Sequence, residues 1–599
     1  MSFEKSWQTT IKDLEEVAEV TTTAREDTKV NPIPSIRKTF NQNTRLTTRC
    51  VDEDDYDRRP QRRRYEEPLS VKVRKQLLSI AESPLKRVED EVLSIAKTIC
   101  DNFEDVELRE SFYELTLQLV VEQPFKIPFI AAVVLIANTM RGDIVEEILG
   151  RAAGKTNAAI GRGEWREVKL YMKFLGSLQG CLDGEGVFPV LQDLLTKAVD
   201  LQTENNEEVG CVWDPWGCRG LTFIEQTVGP ELVKIILFTI PYIMSSSATD
   251  VQQKAASMLE NTDIIAGEPH VLQALVDPYP GNGKEEAVSP NGVLNLLQKQ
   301  LQNEASLGWE LACLPRPWKM FLQPDQPDPL VSAPKHLLPS ITIPEVVDSG
   351  PRPLFPELYF SVYANQDIET VPSTSDIASC LIRDAIVDTI NILDYNRNAT
   401  ARFLIDIDCY FTPDTFVKRA TPFDRLRELR DVEGDRSTWK PEDVAVDAVF
   451  SQLFQLPHPE HKLVYYHSVL TESCKIAPAA IAPSLGRAIR YLYKNIDSMD
   501  LELSYRFMDW FSHHLSNFGF TWKWTEWIDD VDLPVLDPKK AFIRGALDKE
   551  IRLSFAQRIK GTLPPPYQQL ISEEKEKDTP DFKYNSDGRS SPSLFTYQI

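Results

Sequence analysis

An all-α fold of helical hairpins stacked in chain order, an α-solenoid, is what this 599-residue sequence predicts. Three observations carry the prediction. Apolar residues recur at helical spacing in segment after segment; Val88, Val92, Ile95 and Ile99 fall at i, i+4, i+7 and i+11. The joints between segments are short and carry Pro or Gly, which brings consecutive helices back antiparallel. Strand–turn–strand alternation is absent, apart from a short candidate hairpin at Phe403–Phe411.

Residues 1–67 are polar, lack periodic apolar positions and read as a disordered tail. The tail ends in an acidic run followed by Arg58, Arg59, Arg62, Arg63 and Arg64. Such a run reads either as a solvated tail or as a nuclear localisation signal, since a short arginine-rich run in an extended tail fits the acidic groove of an import receptor. A first helical-hairpin domain is expected over residues 68–262. Within it Phe112–Val121 and Phe129–Ala137 form a pair split by Pro124 and Pro128, which end one helix and open the next. Trp165–Leu182 and Val187–Leu201 continue the series across Gly184 and Gly186, and Leu232–Met258 reads as two more helices. Residues 210–227, with Cys211, Cys218 and two tryptophans, show no helical stripe and read as a surface insertion.

Residues 263–356 are read as a Pro-rich linker. Its second half cannot be helical throughout and is expected to run as a strap tied down by Trp318, Phe321 and Leu337. A second helical-hairpin domain is expected over 357–570. It opens at the N-cap candidates Ser373–Asp376, followed by the face Ile377, Leu381, Ile386, Ile390 and Leu393. Further helices are expected near Pro441–Leu456, Pro459–Ser473, Pro483–Ile496, Leu501–Leu515 and Pro538–Ile559. Residues 571–599 have no core pattern and form an atypical tail.

A hydrophobic content of 42% and a charged content of 26% are those of a globular chain. The net charge of −24 argues against a broad RNA-gripping surface, since phosphate contacts need clustered Lys and Arg. It favours a scaffold whose ligands are proteins. Nine scattered cysteines without a regular framework point to reduced thiols of the nucleus or cytosol. The longest apolar runs, Ile127–Ala137 and Leu232–Met244, are too short to span a bilayer, and no membrane role is expected.

No catalytic, metal or cofactor site is expected. His458, His461 and His467 lack an acidic partner at a helical offset, and Cys211 with Cys218 supplies half of a four-ligand zinc site. Asp406-Ile407-Asp408 is an isolated D-x-D. Gly161-x-Gly163 lacks the rest of a dinucleotide fingerprint, and neither a P-loop nor a G-x-S-x-G elbow is present. The richest stretch is Arg506–Trp527, RFMDWFSHHLSNFGFTWKWTEW, with four Trp and four Phe in 22 residues. Phe507, Trp510, Phe511 and Leu515 share a helical stripe, whereas Phe518, Phe520, Trp522 and Trp524 alternate as in an extended segment. With Trp527 these rings form a candidate structural cluster that locks the connector against the domain. Alternation puts Trp522 and Trp524 on one side, not facing each other across a slot for a methylated guanine. His513 and His514 point about 100° apart on a helix, so one is expected packed and the other solvated.

This stretch resembles the large subunit of the nuclear cap-binding complex. The likeness continues through FSQLFQLPHPEH, LTESCK, FIRGALDKEIRLSFAQRI and LPPPY, an ordered series from Phe450 to Tyr567. Residues 68–260 fit the family's first domain more loosely. The resemblance implies hairpin domains like the middle domain of initiation factor 4G, of which the family has three and this sequence two, so the chain reads as truncated. It also implies a non-catalytic nuclear scaffold without cofactor. Such a subunit grips a small RNA-recognition-motif subunit whose tyrosines hold the cap, and presents surfaces to splicing, export and decay factors. Another 4G-like scaffold, in translation or nonsense-mediated decay, is the second reading.

Overall fold

A computed structural model describes residues 67–571 apart from 84–85, 209–220, 268, 271, 281–291, 323–327, 353, 365 and 432–435. Helices dominate, and no strand occurs among the described residues; two isolated bridges join Leu182 to His336 and Gly292 to Leu358. The arginine run 58–64 and all of the tail except Ile571 lie outside the described residues.

The first group of helices comprises α1 (Leu69–Leu78), α2 (Val88–Asp101), α3 (Val106–Glu122), α4 (Ile127–Met140), α5 (Asp143–Gly161), α6 (Trp165–Ser177), α7 (Phe188–Glu208), α8 (Leu221–Met244) and α9 (Gln252–Ala266). Asp105 caps α3 by accepting from the Leu108 N–H. Pro128 sits in the first turn of α4, where its missing N–H costs nothing. That helix buries eleven of its fourteen residues, so its continuous apolar run is a core helix. Helix α8 starts at Leu221, inside the stretch read as an insertion, because its buried face from Val228 onward packs along both α6 and α7.

Helix α10 (Val293–Ser306) lies between the Pro-rich stretches and packs on α8 and α9. The strap after it is fixed to the first group through its backbone. The Trp165 indole donates to the Asp348 carbonyl at 3.0 Å, Asn138 to Pro334 O at 2.8 Å, and Asn157 to Ser340 O at 3.0 Å. Gly350 and Gly163 cross so closely that a Cβ on Gly350 would lie 2.0 Å from the Gly163 carbonyl oxygen. Trp318 and Phe321 are half-buried against the core, and the Trp318 indole donates to Ser245 O at 3.2 Å. Leu337, expected as an anchor, is 76% exposed. Its neighbour His336 holds the strap instead, through backbone bonds to Cys181 O and from the Asp183 N–H.

The second group comprises α11 (Ala378–Ile392), α12 (Arg397–Ile405), α13 (Phe423–Asp431), α14 (Pro441–Leu453), α15 (Leu463–Ile476), α16 (Pro478–Lys494), α17 (Leu501–Asn517), α18 (Pro538–Leu553) and α19 (Ala556–Thr562). Phe403–Phe411 is no hairpin: α12 runs to Ile405 and a 3-10 turn follows at Ile407–Cys409. Pro483 does not open a helix; Pro478 does, and Pro483 lies inside the helix that starts there. The stretch Pro538–Ile559 is two helices, broken at Ser554 and Phe555.

A single buried apolar cluster runs through both groups. At their junction the Phe125 ring stacks on Tyr410 at 5.1 Å and meets Phe411 edge-on at 6.1 Å.

Candidate functional site

Two features stand out, the charged core of the junction and the aromatic end of the second group. In α6, Lys169 and Lys173 lie four residues apart on one face; in α11, so do Asp384 and Asp388. Packing the two faces together sets Lys169 Nζ 2.5 Å from Asp384 and 2.9 Å from Asp388, with Lys173 in contact with Asp384 and 3.6 Å from Asp388. All four side chains are at most 7% exposed. Burial alone would raise the Asp384 pKa, but the two ammonium groups overcome it and hold the carboxyl well below the usual range. Arg166 extends the network to Asp388 at 3.3 Å and bidentately to Glu460. Beside it lies a cavity of about 80 Å³. Among its walls Lys234 pairs with Glu357 at 2.8 Å, and Arg383 with Asp447. Each of these charges has an opposite partner, so the chamber is a structural ion network.

The aromatic end begins at α17, capped by Asp500, which accepts from the Glu502 N–H at 2.9 Å. Phe507, Trp510, Phe511 and Leu515 are buried along one face. Trp510 meets Phe450 edge-on at 4.8 Å, and Phe507 stacks on Phe542 of α18 at 4.6 Å. Arg506 donates to the carbonyls of Leu453, Gln455 and Pro457, satisfying the end of α14.

After α17 the chain reverses. The N–H groups of Phe518 and Phe520 both donate to Leu515 O, with Gly519 and Phe520 at φ +71° and +61°. The left-handed Phe520 breaks the alternation expected of an extended segment, and the four rings divide into two sets. Phe518 packs on His514 at 4.8 Å, and buried Phe520 lies under the Arg558 guanidinium at 5.2 Å. Trp522 and Trp524 both meet Phe511 edge-on, at 5.6 and 5.8 Å. Trp527, in the 3-10 turn Trp524–Asp532, stacks on Tyr493 at 3.8 Å and 14°. Rings in direct contact leave no slot for a third.

Burial pulls His514 down to about 3, and burial with the nearby His513 and Lys549 does the same to His467. His513 is half-buried, 5.3 Å from His467, instead of solvated. His467 is likewise a core residue. His461 bonds Asn391 O at 2.9 Å, and His458 is exposed. No group of three His, Cys, Asp or Glu is placed to hold a metal among the described residues. Asp406 and Asp408 both face Arg419, at 2.8 and 3.6 Å.

Sequence reasoning missed the junction network. Its signal was present: two Lys at i, i+4 in an apolar helix, matched by two Asp at i, i+4 in another.

The fold is an all-α stack of helical hairpins. A family model described as MIF4G like matches residues 372–565. Nuclear cap-binding protein subunit 1 of Schizosaccharomyces pombe is 31% identical over 559 residues, 92% of this chain and 66% of that protein. Nuclear cap-binding protein complex subunit 1 of Saccharomyces cerevisiae is 26% identical over 87% of this chain and 62% of its own length. The Arabidopsis thaliana subunit 1 is 24% identical over 75% and 49%. The chain belongs to this family of nuclear cap-binding protein subunits 1, and spans two thirds or less of the length of these relatives.

Proposed function

We propose that this chain is the scaffold subunit of a nuclear mRNA cap-binding complex. In this reading it holds a small RNA-recognition-motif subunit on the 7-methylguanosine cap and offers further surface to splicing, export and decay factors. The observation that supports it is the 31% identity over 92% of the chain, which takes in both groups of helices. The physical logic is preorganisation: a small subunit with mobile cap-binding segments loses ordering entropy on binding, and a rigid platform lowers that cost. The hairpin domains at 68–262 and 357–570 are the platforms, welded by the charged junction, and the aromatic cluster braces the second. The chain does no chemistry of its own. Its workplace is the nucleus, reached through an import receptor on Arg58, Arg59, Arg62, Arg63 and Arg64.

Fluorescence titration tests the reading. Alone, the chain binds a 7-methylguanosine cap analogue no better than GTP; with the small subunit added, methyl-selective binding appears. Methyl-selective binding by the chain alone, abolished in Trp522→Ala or Trp524→Ala, refutes it. So does failure to co-purify with any RNA-recognition-motif protein.

A further inference from the structure

The charge of this chain is unevenly spread. Against a net −24 overall, residues 539–560 (KKAFIRGALDKEIRLSFAQRIK) carry seven Lys or Arg and two acids. One of those acids, Glu550, does not offset them. It is fully buried, neither carboxylate oxygen has a hydrogen-bond partner, and burial pushes its pKa up to about 8. The segment forms α18 and α19, the outer layer of the aromatic end. Arg544, Arg552 and Arg558 are exposed there, with no carboxylate within 4.0 Å among the described residues. The acids nearby include Asp509, spent on Lys549, Glu472, paired with Lys475 at 3.4 Å, Glu502, paired with Arg506 at 2.9 Å, and the exposed Asp548 between Arg544 and Arg552. Along this edge one cation comes from another element, Lys475 of α15, which is the one paired with Glu472. Burial and then Arg552 lower the Lys549 pKa, and burial and then Lys475 of α15 lower that of His513.

Large apolar side chains stand exposed beside these cations. Leu553 and Phe555 are 54% and 59% exposed at the break between α18 and α19. Helices α17 and α18 run antiparallel, with Ser512 donating to Ala546 O and Asp509 against Lys549. One turn further in that register sets Tyr505, 55% exposed, opposite Leu553. Arginines without a carboxylate partner, next to solvent-facing rings, are the two components of a single-strand platform. The guanidinium groups take phosphates and the rings take base faces.

We propose that the outer face of α17–α19 binds single-stranded RNA, with Arg552 and Arg558 on phosphates and Phe555 and Tyr505 as stacking surfaces. The site goes beyond the scaffold reading and does not depend on it, because it needs no small subunit and no cap. An acidic protein segment would use the arginines alone, whereas RNA uses the rings as well.

The test is fluorescence anisotropy of the full chain with a fluorescein-labelled oligouridylate of about 12 nucleotides. Binding is expected at low salt and weakens as salt rises. Arg552→Ala with Arg558→Ala lowers the slope of log K against log salt by about 1.4. Phe555→Ala weakens binding roughly ten-fold. Arg425→Ala with Arg427→Ala, ion-paired on the far α13, changes nothing. Wild-type chain that does not bind at low salt overturns the proposal, as does a double arginine variant equal to wild type. An unaltered affinity in Phe555→Ala, with polyglutamate displacing the oligonucleotide, also overturns it and marks the face as one for acidic protein. Should Phe555→Ala misfold, the arginine pair decides, since both residues are exposed.

Discussion

Changing Asp384 to Asn tests whether the junction welds the two groups of helices. The substitution keeps the side chain's size and one acceptor oxygen, removes the charge and turns the other oxygen into an NH2 donor facing an ammonium group. In the native chain two ammonium groups face two carboxylates, with contacts of 2.5 to 3.6 Å around Lys169 and Lys173. The variant leaves both ammonium groups against Asp388 alone, at sites 6% and 2% exposed. Removing one partner from a buried ion pair costs roughly 3–5 kcal/mol, because the remaining charge is stranded out of water. The folded-state pKa of Asp384 is depressed. Its contribution is therefore present above the unfolded value of about 3.9 and is lost as pH falls through the folded one. Urea unfolding followed by tryptophan fluorescence is the assay. The variant's midpoint falls clearly at pH 7, and the gap to wild type narrows in strong acid. Lys173→Met with Asp384→Leu, which removes one charge of each sign, recovers much of the loss. A variant within about 0.5 kcal/mol of wild type, the range of a surface change, refutes the reasoning.

Trp510→Ala removes a fully buried ring that meets Phe450 at 4.8 Å; it costs roughly 3–5 kcal/mol and shows as a lower melting temperature, which Trp510→Phe largely restores. An unchanged melting temperature with lost partner binding would instead make Trp510 a contact residue. His467 and His514 sit at about 3 when folded and about 6.5 when unfolded. Their lowered values give stability that is complete above pH 6.5 and drains away as pH falls toward 3. His514→Phe should flatten the melting-temperature profile across that window, and an unaltered profile counts against the buried neutral ring. Replacing Arg58, Arg59, Arg62, Arg63 and Arg64 by Ala in a fluorescent fusion should shift it to the cytoplasm; unchanged nuclear accumulation removes the import reading.

What the sequence determined by itself is local. Helices α2, α4, α11 and α17 were legible because apolar period, Pro at the first turn and side-chain caps act within a few residues of one another. The stripe Phe507, Trp510, Phe511 and Leu515 was legible for the same reason, and so were the glycines between α6 and α7. Tertiary structure decided whatever depends on groups far apart in the chain. Lys169 and Asp384 are 215 residues apart, and only the packing of α6 on α11 makes their charges partners, since desolvation rewards pairing that no local pattern encodes. Phe520 reads as one more alternating aromatic, yet it takes φ +61° because the reversal after α17 needs its N–H on Leu515 O. Phe403–Phe411 has the aromatic content of a hairpin and becomes helix and turn because the Phe125 side of the junction buries those rings from a helical backbone. Leu337 and Phe555 are equally apolar in sequence to the residues that anchor the strap and the core. Their exposure was settled by which backbone groups the strap had to satisfy and where α18 ended, and both are properties of the assembled fold.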